Sequence, residues 1–319
     1  MTEATILIIS TVVDTATDAV VLSLSRRGIS HQRINTENFP FESNFTLDYQ
    51  AVGNTAITFQ SGRIAPHAIW YRRLRSPGRP ENMDSGIYDF CLRENRAAFL
   101  GGLLTQRTRW MSHPSDVWRA EFKPNQLRIA QEVGLRIPKT IISNDPEKIR
   151  RAFSEFGPLI VKPARTGHFW QGGEEFSIFT CPMTEEHLEA LQDAKWAPSI
   201  YQELIPKRFD IRVTCVGSKL FAVAIHSQTD PAAEVDWRRT ENPELPHSSI
   251  ELPTQIADQI RKLMKCLQLE FGCIDLVLTP DDEFAFLEVN PSGQWLWLDD
   301  QLNLGISDAV ADWLSESAK

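Results

Sequence analysis

Apolar and polar positions along the first third of the chain follow a pattern that predicts strands separated by helices. Three segments open it, an apolar run, a stretch with apolar positions at helical spacing and a second strand-like run, at residues 4–10, 14–27 and 31–35. This order predicts a βαβ unit. Further strands and a long helix are predicted at residues 44–49, 56–60, 68–72 and 84–104. We assign residues 1–115 to an N-terminal lobe.

The turn after the first predicted strand argues against one common use of a βαβ opening. A dinucleotide site needs a glycine-rich turn there, because the backbone must approach the pyrophosphate closely. In this chain the turn consists of Ser10, Thr11, Val12 and Val13. The sequence therefore lacks a dinucleotide fingerprint at this position.

The middle of the chain predicts a strand, a glycine-containing loop and a second strand. A helix, a strand and a further helix precede this segment, at residues 123–134, 140–143 and 146–156. The loop runs from Ala164 to Gly173 and contains three glycines beside three bulky residues, namely Gly167, Gly172, Gly173, His168, Phe169 and Trp170. Such a flap can bind phosphates with its backbone N–H groups. We assign residues 116–200 to a central lobe that carries this flap.

Three strand patterns follow, and we predict that they pair with one another as a sheet of three. They lie at residues 199–205, 209–217 and 219–228. A charged linker over residues 229–253 then carries Asp236, Trp237, Arg238 and Arg239. Two more helices are predicted at residues 254–267 and 307–314. Residues 201–319 are assigned to a C-terminal lobe.

Residues 271–293 predict a β-hairpin, since two apolar runs flank a polar tip. We centre the turn on Asp281 and Asp282. Counting outward from that centre places Asp275 opposite Glu288, where side chains on one face lie about 5 Å apart. The pattern therefore predicts two neighbouring carboxylates on this hairpin.

Asn290 adds a third oxygen ligand to the hairpin. It lies two residues after Glu288 and therefore points to the same face of the strand. Two carboxylates and an amide oxygen suit Mg²⁺, which keeps water and phosphate oxygens as its other ligands. A single carboxylate in an apolar strand is often an edge residue that faces water. Two like charges side by side in buried strands are costly without a cation or a proton between them, which favours the metal site.

Length and composition restrict the class of protein. The 319 residues, of which 42% are hydrophobic and 24% charged, are typical of a globular protein with two or three lobes. We expect a cytoplasmic location and no membrane partner, because the sequence has neither a long apolar run nor a basic start. Five scattered cysteines indicate neither a disulfide framework nor a zinc site. A net charge of −9 argues against nucleic acid as a partner.

Four arginines fall within eight positions of this acidic chain, namely Arg72, Arg73, Arg75 and Arg79. Guanidinium groups bind carboxylates through paired hydrogen bonds. We therefore predict that Arg72 and Arg73 bind an anionic substrate. A solvated basic rim at a strand end is an equally simple interpretation.

Charged residues within two other strands are candidates for the same site. Lys162 interrupts the apolar strand PLIVK, and a buried ammonium is costly unless it faces an anion, so we predict a phosphate contact. Asp210 and Arg212 share one face of the next strand pattern. A cross-strand salt bridge on a solvent face is the alternative for these two residues.

In sequence order, these motifs resemble the ATP-grasp ligases. Within that superfamily the chain is similar to the microviridin-type maturases, which macrocyclise graspetide precursor peptides, over about residues 69–314. The similar segments are WYRR, EFKPNQLRIA, DIRV, DWR, FGCIDLV and FLEVNPSGQWLWL. The resemblance implies an α/β (α+β) fold, with an N-terminal βαβ pre-ATP-grasp lobe, a central lobe with a glycine flap and a mostly antiparallel C-terminal lobe.

The resemblance also implies how this chain would bind ATP. Lys123 and Lys162 would hold the phosphates, and Glu203 or Asp210 would bind the ribose hydroxyls. The hinge that meets the adenine would comprise Gln202, Glu203, Leu204 and Ile205. The bulky loop residues depart from the small-residue loops of many ATP-grasp enzymes, which leaves open how this loop closes.

The remaining roles concern magnesium and the transferred phosphoryl group. The resemblance implies that Asp275, Glu288 and Asn290 bind magnesium, expected as two ions. Arg212 and Arg238 would neutralise the phosphoryl group during transfer. The aromatic loop and residues 295–298 are candidates for lids that exclude water.

The function implied by the resemblance is that of an ADP-forming carboxylate ligase. ATP would convert an Asp or Glu side chain of a precursor peptide into an acyl phosphate. A Ser or Thr hydroxyl or a Lys amine of the same peptide would then form an ω-ester or ω-amide ring. The implied partners are ATP, a precursor peptide with a leader, and a second copy in a homodimer.

Two other functions stay open on the sequence. One is an ATP-grasp ligase that adds free amino acids to a small molecule or to a protein terminus. The other is a non-catalytic ATP-binding regulatory protein, as the synapsins resemble ATP-grasp enzymes. The complete set of Asp275, Glu288 and Asn290 argues against the second.

Overall fold

A computed structural model describes residues 5–41, 44–49, 56–59, 62–165, 167–172, 174–242 and 244–316. The chain divides into two compact units. The N-terminal unit comprises Met1–Pro114, Gln294–Asp299 and Gly305–Lys319, and the second unit comprises Ser115–Gly293 and Asp300–Leu304. The predicted lobe boundaries after residues 115 and 200 stay a prediction.

A parallel sheet forms the centre of the N-terminal unit. The elements of this part of the chain are β1 (Thr5–Ser10), α1 (Thr15–Arg26), β2 (His31–Asn35), β3 (Phe45–Asp48), β4 (Ala56–Phe59), β5 (Gly62–Ile64), β6 (Pro66–Tyr71), α2 (Ser85–Leu104) and β7 (Arg109–Met111). The strand order is β2-β1-β6-β7, with parallel neighbours. Asp14 caps α1 by accepting a hydrogen bond from the Thr17 N–H. The predicted βαβ opening is therefore confirmed.

A second, antiparallel sheet in this unit has the order β3-β4-β5. Ile9 of β1, Phe59 of β4 and Phe99 of α2 belong to one cluster of buried side chains. A Cβ at Gly102 would lie 2.5 Å from a methyl group of Leu47, so the glycine lets α2 approach β3. The sequence pattern missed β5 and β7, because three residues are too few to display strand alternation.

The second unit begins with two short helices and a mostly antiparallel sheet. Its first elements are α3 (Pro114–Ala120), α4 (Lys123–Glu132), β8 (Thr140–Ser143), α5 (Pro146–Phe156), β9 (Leu159–Pro163), β10 (His168–Gln171), β11 (Glu174–Ser177), β12 (Cys181–Pro182), α6 (Glu185–Glu189) and β13 (Ser199–Glu203). Strands β12-β9-β13-β8 form the central sheet, and β10 and β11 form a separate hairpin. Helix α5 buries Ile149 and Ala152 against this sheet.

A longer antiparallel sheet completes the second unit. The last elements of the chain are β14 (Phe209–Val216), β15 (Lys219–Ile225), β16 (His247–Ser249), α7 (Thr254–Leu267), β17 (Phe271–Leu278), β18 (Phe284–Asn290), α8 (Leu296–Leu302) and α9 (Ile306–Ser315), of which α9 belongs to the N-terminal unit. The strand order is β16-β15-β14-β17-β18. This sheet carries the predicted hairpin at its edge.

The predicted grouping of three strands into one sheet is wrong. Strand β13 pairs with β8 and β9, whereas β14 pairs with β15 and β17. An apolar run specifies a buried strand but not its partner, which the chain path decides. The predicted boundary at residue 200 consequently falls inside β13.

Two segments are more regular than predicted. Residues 168–171 of the predicted loop form β10, with Gly172 at positive φ in the turn, while Gly173 lies outside the described residues. The predicted linker over residues 229–253 contains β16, which extends the sheet beyond β15. None of the helices in the described ranges is long and apolar enough to cross a membrane.

Candidate active site

A cleft of about 550 Å³ opens in the second unit. Its lining includes seven of the predicted site residues, namely Lys123, Lys162, Asp210, Arg238, Asp275, Glu288 and Asn290. Apolar side chains line the same cleft, among them Ile160, Leu276 and Leu287. Residues 167 positions apart in sequence, as Lys123 and Asn290 are, thus face one cavity.

The hairpin of β17 and β18 pairs Asp275 with Glu288, by a different route from the one predicted. Near the turn Leu278 pairs with Phe284, one residue tighter than the predicted centre requires. The register then shifts next to Asp275, leaving Leu287 as an extra residue. This β-bulge returns Glu288 to the face of Asp275.

Helix α4 brings the first lysine to these carboxylates. The Lys123 ammonium Nζ lies 2.9 Å from Oε2 of Glu288. It also donates to the Pro163 carbonyl at 3.5 Å. Burial alone would raise the pKa of Glu288, but Lys123 and Lys162 outweigh it and lower the pKa to about 2. Glu288 is therefore ionised and ready to bind cations at neutral pH.

Lys162 projects from β9 and is almost fully buried. Desolvation lowers its pKa to about 8, with the neighbouring Lys123 and Arg238 acting in the same direction and Glu288 opposing them. Among the described residues no side chain or carbonyl forms a hydrogen bond or ion pair with its ammonium. A buried ammonium of this kind is stabilised by an anion such as a phosphate.

Arg212 does not line the cleft, but it lies on β14 opposite Asp275, which does. Its Nη1 is 2.7 Å and 2.8 Å from the two carboxylate oxygens of Asp275. Burial and the charge of Glu288 raise the pKa of Asp275, while Arg212 opposes them. Arg212 therefore forms a cross-strand salt bridge, as the alternative interpretation predicted. The bridge is buried beside the cleft, however, and does not lie on a solvent face.

Arg238 lies within the linker and is oriented by Asp236. Its Nε and Nη2 donate to the two oxygens of Asp236 at 2.8 Å and 2.6 Å. Asp236 also accepts from the Thr180 N–H at 3.2 Å. These hydrogen bonds raise the pKa of Arg238, and they lower that of Asp236 despite its burial. Asp236 thus connects the arginine to the segment after the flap.

Of the residues predicted to contact adenosine, only Asp210 lines the cleft. Lys207 holds the carboxylate of Asp210, with its Nζ at 2.9 Å and 2.7 Å from the two oxygens. Ile205 belongs to a buried apolar cluster, and the Leu204 N–H donates to Pro158. None of the described hinge residues, Gln202, Glu203, Leu204 and Ile205, lines the cleft. Their contact with adenine stays a prediction.

Arg72 and Arg73, the predicted substrate residues, belong to the N-terminal unit. Arg72 is buried beside Asp14, with Nε 3.5 Å from Oδ2, and donates to the Gln294 side chain at 3.1 Å. Its guanidinium lies 4.7 Å from the centre of the Trp295 ring. Arg73 is half-buried. Substrate binding by these residues stays a prediction, as does a lid that contains the buried Trp295.

One buried residue of the site escaped the sequence reasoning. Gln126 of α4 exchanges two hydrogen bonds with the backbone of Val289, between Glu288 and Asn290. Its only sequence signal is its position three residues after Lys123. A glutamine on an amphipathic helix usually faces solvent, so the pattern did not single it out.

The oxygen-bearing side chains of the hairpin fit a magnesium ion whose other ligands would come from a nucleotide and water. Asp275 and Glu288 are directly paired, and Asn290 follows on the same strand. Within the described part of the chain, no group of three or more His, Cys, Asp and Glu side chains could hold a metal ion. The protein would thus supply a few oxygen ligands and leave others to phosphate and water.

The N-terminal third of the chain matches a known family. Residues 5–117 match the family described as the MvdD pre-ATP grasp domain. A curated relative, the glutamate–LysW ligase ArgX from Sulfurisphaera tokodaii, is 24% identical over 186 residues, or 58% of this chain. The chain spans 64% of the length of that relative.

Two solved structures are similar along nearly the whole chain. The Chryseobacterium gregarium RiPP-associated ATP-grasp ligase, in complex with ADP and a leader and core peptide, shares 29% identity and a TM-score of 0.91, over 99% of this chain and 98% of that chain. The macrocyclase MdnC from Microcystis aeruginosa MRC, bound with precursor peptide MdnA, shares 32% identity and a TM-score of 0.87, over 98% and 100%.

The fold and the cleft together define a ligase of the ATP-grasp class. The predicted α/β (α+β) ATP-grasp fold with a pre-ATP-grasp lobe is therefore confirmed. Within this class, the chain belongs to the microviridin-type ATP-grasp peptide maturases, because it matches MdnC at 32% identity over that protein's full length.

Proposed function

We propose that this protein macrocyclises a ribosomally made precursor peptide at the expense of ATP. One observation carries the proposal, a single cleft in which Lys123, Lys162 and Arg238 surround the paired carboxylates Asp275 and Glu288. Such an arrangement suits phosphoryl transfer, where catalysis consists mainly of positioning and charge stabilisation. The peptides bound to the similar ligase and to the similar macrocyclase support a peptide substrate.

Each residue has a defined part in this mechanism. Lys123 and Lys162 bind the phosphates of ATP, and Arg238 and Arg212 neutralise the group in transfer. Asp275, Glu288 and Asn290 hold Mg²⁺, for which we propose two ions. When bound, Mg²⁺ neutralises charge on the phosphate oxygens. The apolar wall of the cleft limits access of water to the reactive acyl group.

The reaction needs no nucleophile from the protein. A carboxylate oxygen of an Asp or Glu side chain attacks the terminal phosphorus of ATP, and ADP leaves. A Ser or Thr hydroxyl, or a Lys amine, of the same peptide then attacks the acyl carbon and releases phosphate. Each ester or amide ring therefore consumes one ATP and removes one water from the peptide.

Partners and location complete the proposal. The precursor would carry a leader segment that the enzyme binds, as the leader and core peptides of the similar ligase suggest. A homodimer and a cytoplasmic location are further parts of the proposal, and they agree with an acidic chain whose expected substrates are ATP and a nascent peptide.

Mass spectrometry tests this function directly. The purified protein is incubated with ATP, Mg²⁺ and a peptide whose core is rich in Asp or Glu and in Thr, Ser or Lys, encoded beside its gene. We expect the peptide to lose the mass of one water per ring, with stoichiometric release of ADP. ADP release without any loss of peptide mass would contradict ring formation.

The similarity to ArgX supports a second candidate, a ligase that joins a free amino acid to a protein. That reaction would add the mass of an amino acid residue to the acceptor. The same experiment, supplemented with free glutamate, separates the two functions, because ring formation lowers the mass of the peptide and ligation raises it.

A further inference from the structure

We propose that Gln126 is a positioning residue that aligns the metal-binding face of β18, an inference that rests on the proposed function of the cleft. The side chain of Gln126 is 2% exposed. Its Oε1 accepts from the Val289 N–H at 2.8 Å, and its Nε2 donates to the Val289 carbonyl at 2.8 Å. Nε2 also donates to the carbonyl of Ala120. The amide therefore imitates one residue of a neighbouring strand.

The place of β18 in its sheet explains why such a substitute is useful. β18 is the last strand of the order β16-β15-β14-β17-β18, so none of the strands in the described residues pairs with its outer edge. Along this edge the Phe286 N–H donates to the Arg136 carbonyl at 2.8 Å. Three residues further along β18, the side chain of Gln126 forms hydrogen bonds with both backbone groups of Val289. An edge with unmet backbone groups would be free to shift, and the two contacts restrain it.

Val289 separates the two oxygen ligands on this strand. Its side chain is buried in the core, 3% exposed, so Glu288 and Asn290 project to the opposite face. Restraining both backbone groups of Val289 restrains the direction of each flanking side chain. The bulge at Leu287 makes this restraint more important, because it interrupts the regular pairing just before Glu288.

Helix α4 carries Lys123 and Gln126 on one face, since they are three residues apart. Lys123 contacts Glu288, and Gln126 holds the next residue along the strand. One helical turn thus sets the spacing between the phosphate-binding ammonium and the oxygen ligands. Gln126 contacts the reacting groups only through β18, which makes it a positioning residue.

The experiment measures the affinity for Mn²⁺, a paramagnetic substitute for Mg²⁺, separately from the affinity for ADP. Gln126→Met keeps the size of the side chain and removes its hydrogen bonds. We expect Mn²⁺ to bind the complex of this variant with ADP about 10–100-fold more weakly than the wild-type complex, as measured by electron paramagnetic resonance. Replacing residues that orient metal ligands typically has an effect of this size. The affinity for metal-free ADP is expected to stay at the wild-type value.

A matched control distinguishes positioning from a loss of stability. Gln259→Met removes another glutamine that ties a helix to the backbone, through its bond to the Gly134 carbonyl at 2.7 Å. This variant is expected to bind Mn²⁺ and ADP as wild type does. Gln126→Glu keeps an acceptor for the Val289 N–H and loses the donor to its carbonyl, so its Mn²⁺ affinity should fall between wild type and Gln126→Met.

Three results would overturn the inference. They are wild-type Mn²⁺ affinity in a folded Gln126→Met or Gln126→Glu protein, equal loss of metal-free ADP binding, and rapid hydrogen exchange of the Val289 amide in the wild type. The last measurement decides the question even if neither variant folds. Failure of the proposed function is distinguishable, because the wild-type protein itself would then fail to bind ADP with Mn²⁺ or to form rings.

Discussion

Two pairs of opposite charges, one in each unit, have different surroundings. In the N-terminal unit, Arg72 and Asp14 are 0% exposed, and Trp295 covers the guanidinium. In the cleft, Lys123 and Glu288 remain 17% and 20% exposed. An enclosed pair serves the fold, because no ligand can replace either partner. A pair that borders a cavity can exchange its partners for the ions of a nucleotide complex.

The comparison is tested most strongly by Glu288→Gln. We expect peptide-dependent ADP release to fall by about 10³-fold or more, because the neutral amide is a weaker ligand for Mg²⁺. The melting temperature should change little, since the amide can still accept from Lys123. Glu283→Gln is the control, as it removes a carboxylate of the same hairpin that pairs with Arg136 on the surface. Wild-type turnover by Glu288→Gln would contradict the metal assignment.

Removing one partner of the enclosed pair should instead lower the stability of the fold and leave ADP binding unchanged. Arg72→Met leaves Asp14 buried without its cation, so we expect the free energy of unfolding to fall by about 3–5 kcal/mol in urea denaturation. The affinity for ADP should be unchanged. Arg27→Met is the control, since it removes a more exposed pair with Asp308 and should cost about 0–1 kcal/mol.

The same variant tests the predicted substrate role of the arginines. If Arg72 and Arg73 bind the precursor, then replacing them weakens ring formation more than ADP binding. Loss of peptide processing by Arg72→Met with undiminished stability would show that Arg72 is not a structural residue. Equal loss of peptide processing and ADP binding would count against a specific substrate role.

Lys123→Met tests whether the cleft pair exchanges partners. Without the lysine, Glu288 is freed for a cation, so the affinity for Mn²⁺ alone should rise several-fold, corresponding to about 1 kcal/mol. The affinity for ADP should fall, because the proposed phosphate contact is lost. Titration calorimetry measures both. Arg128→Met, on the same helix and paired on the surface with Glu132, provides the control. A decrease in the affinity for Mn²⁺ would contradict the competition between Lys123 and metal.

A smaller effect is expected from pH. Arg72 and hydrogen bonds from Ser10 and Thr17 outweigh burial and hold the pKa of Asp14 below its ordinary value of 3.8. The ionised carboxylate therefore stabilises the fold above pH 3.8, and this contribution is lost as the pH falls through the lower folded-state pKa. We expect the stability difference between wild type and Asp14→Asn to shrink in acid. A difference that is constant from neutral pH to pH 3 would contradict this assignment.

The local elements were largely readable from the sequence. Helices α5 and α7 have the predicted bounds, and in the structure Asp145 caps α5 while Gly157 ends it at positive φ. Such signals act within a few residues, which is the range that a sequence displays directly. The pairing of strands was harder to predict from the sequence. Strand β13 has the same apolar pattern as other buried strands, and only the path of the chain assigns it to the central sheet.

The sequence by itself determined the residue types that the proposed phosphate and metal site requires, and their order along the chain. Only the tertiary structure decided which of them meet. The pairing of Asp275 with Glu288 depends on a tight turn and a bulge at Leu287 that compensate each other, whereas counting along the sequence assumed neither. The enclosure of Arg72 and the hydrogen bonds of Gln126 to Val289 likewise depend on distant segments. Short-range patterns cannot encode such contacts, because burial and partners are properties of the assembled chain.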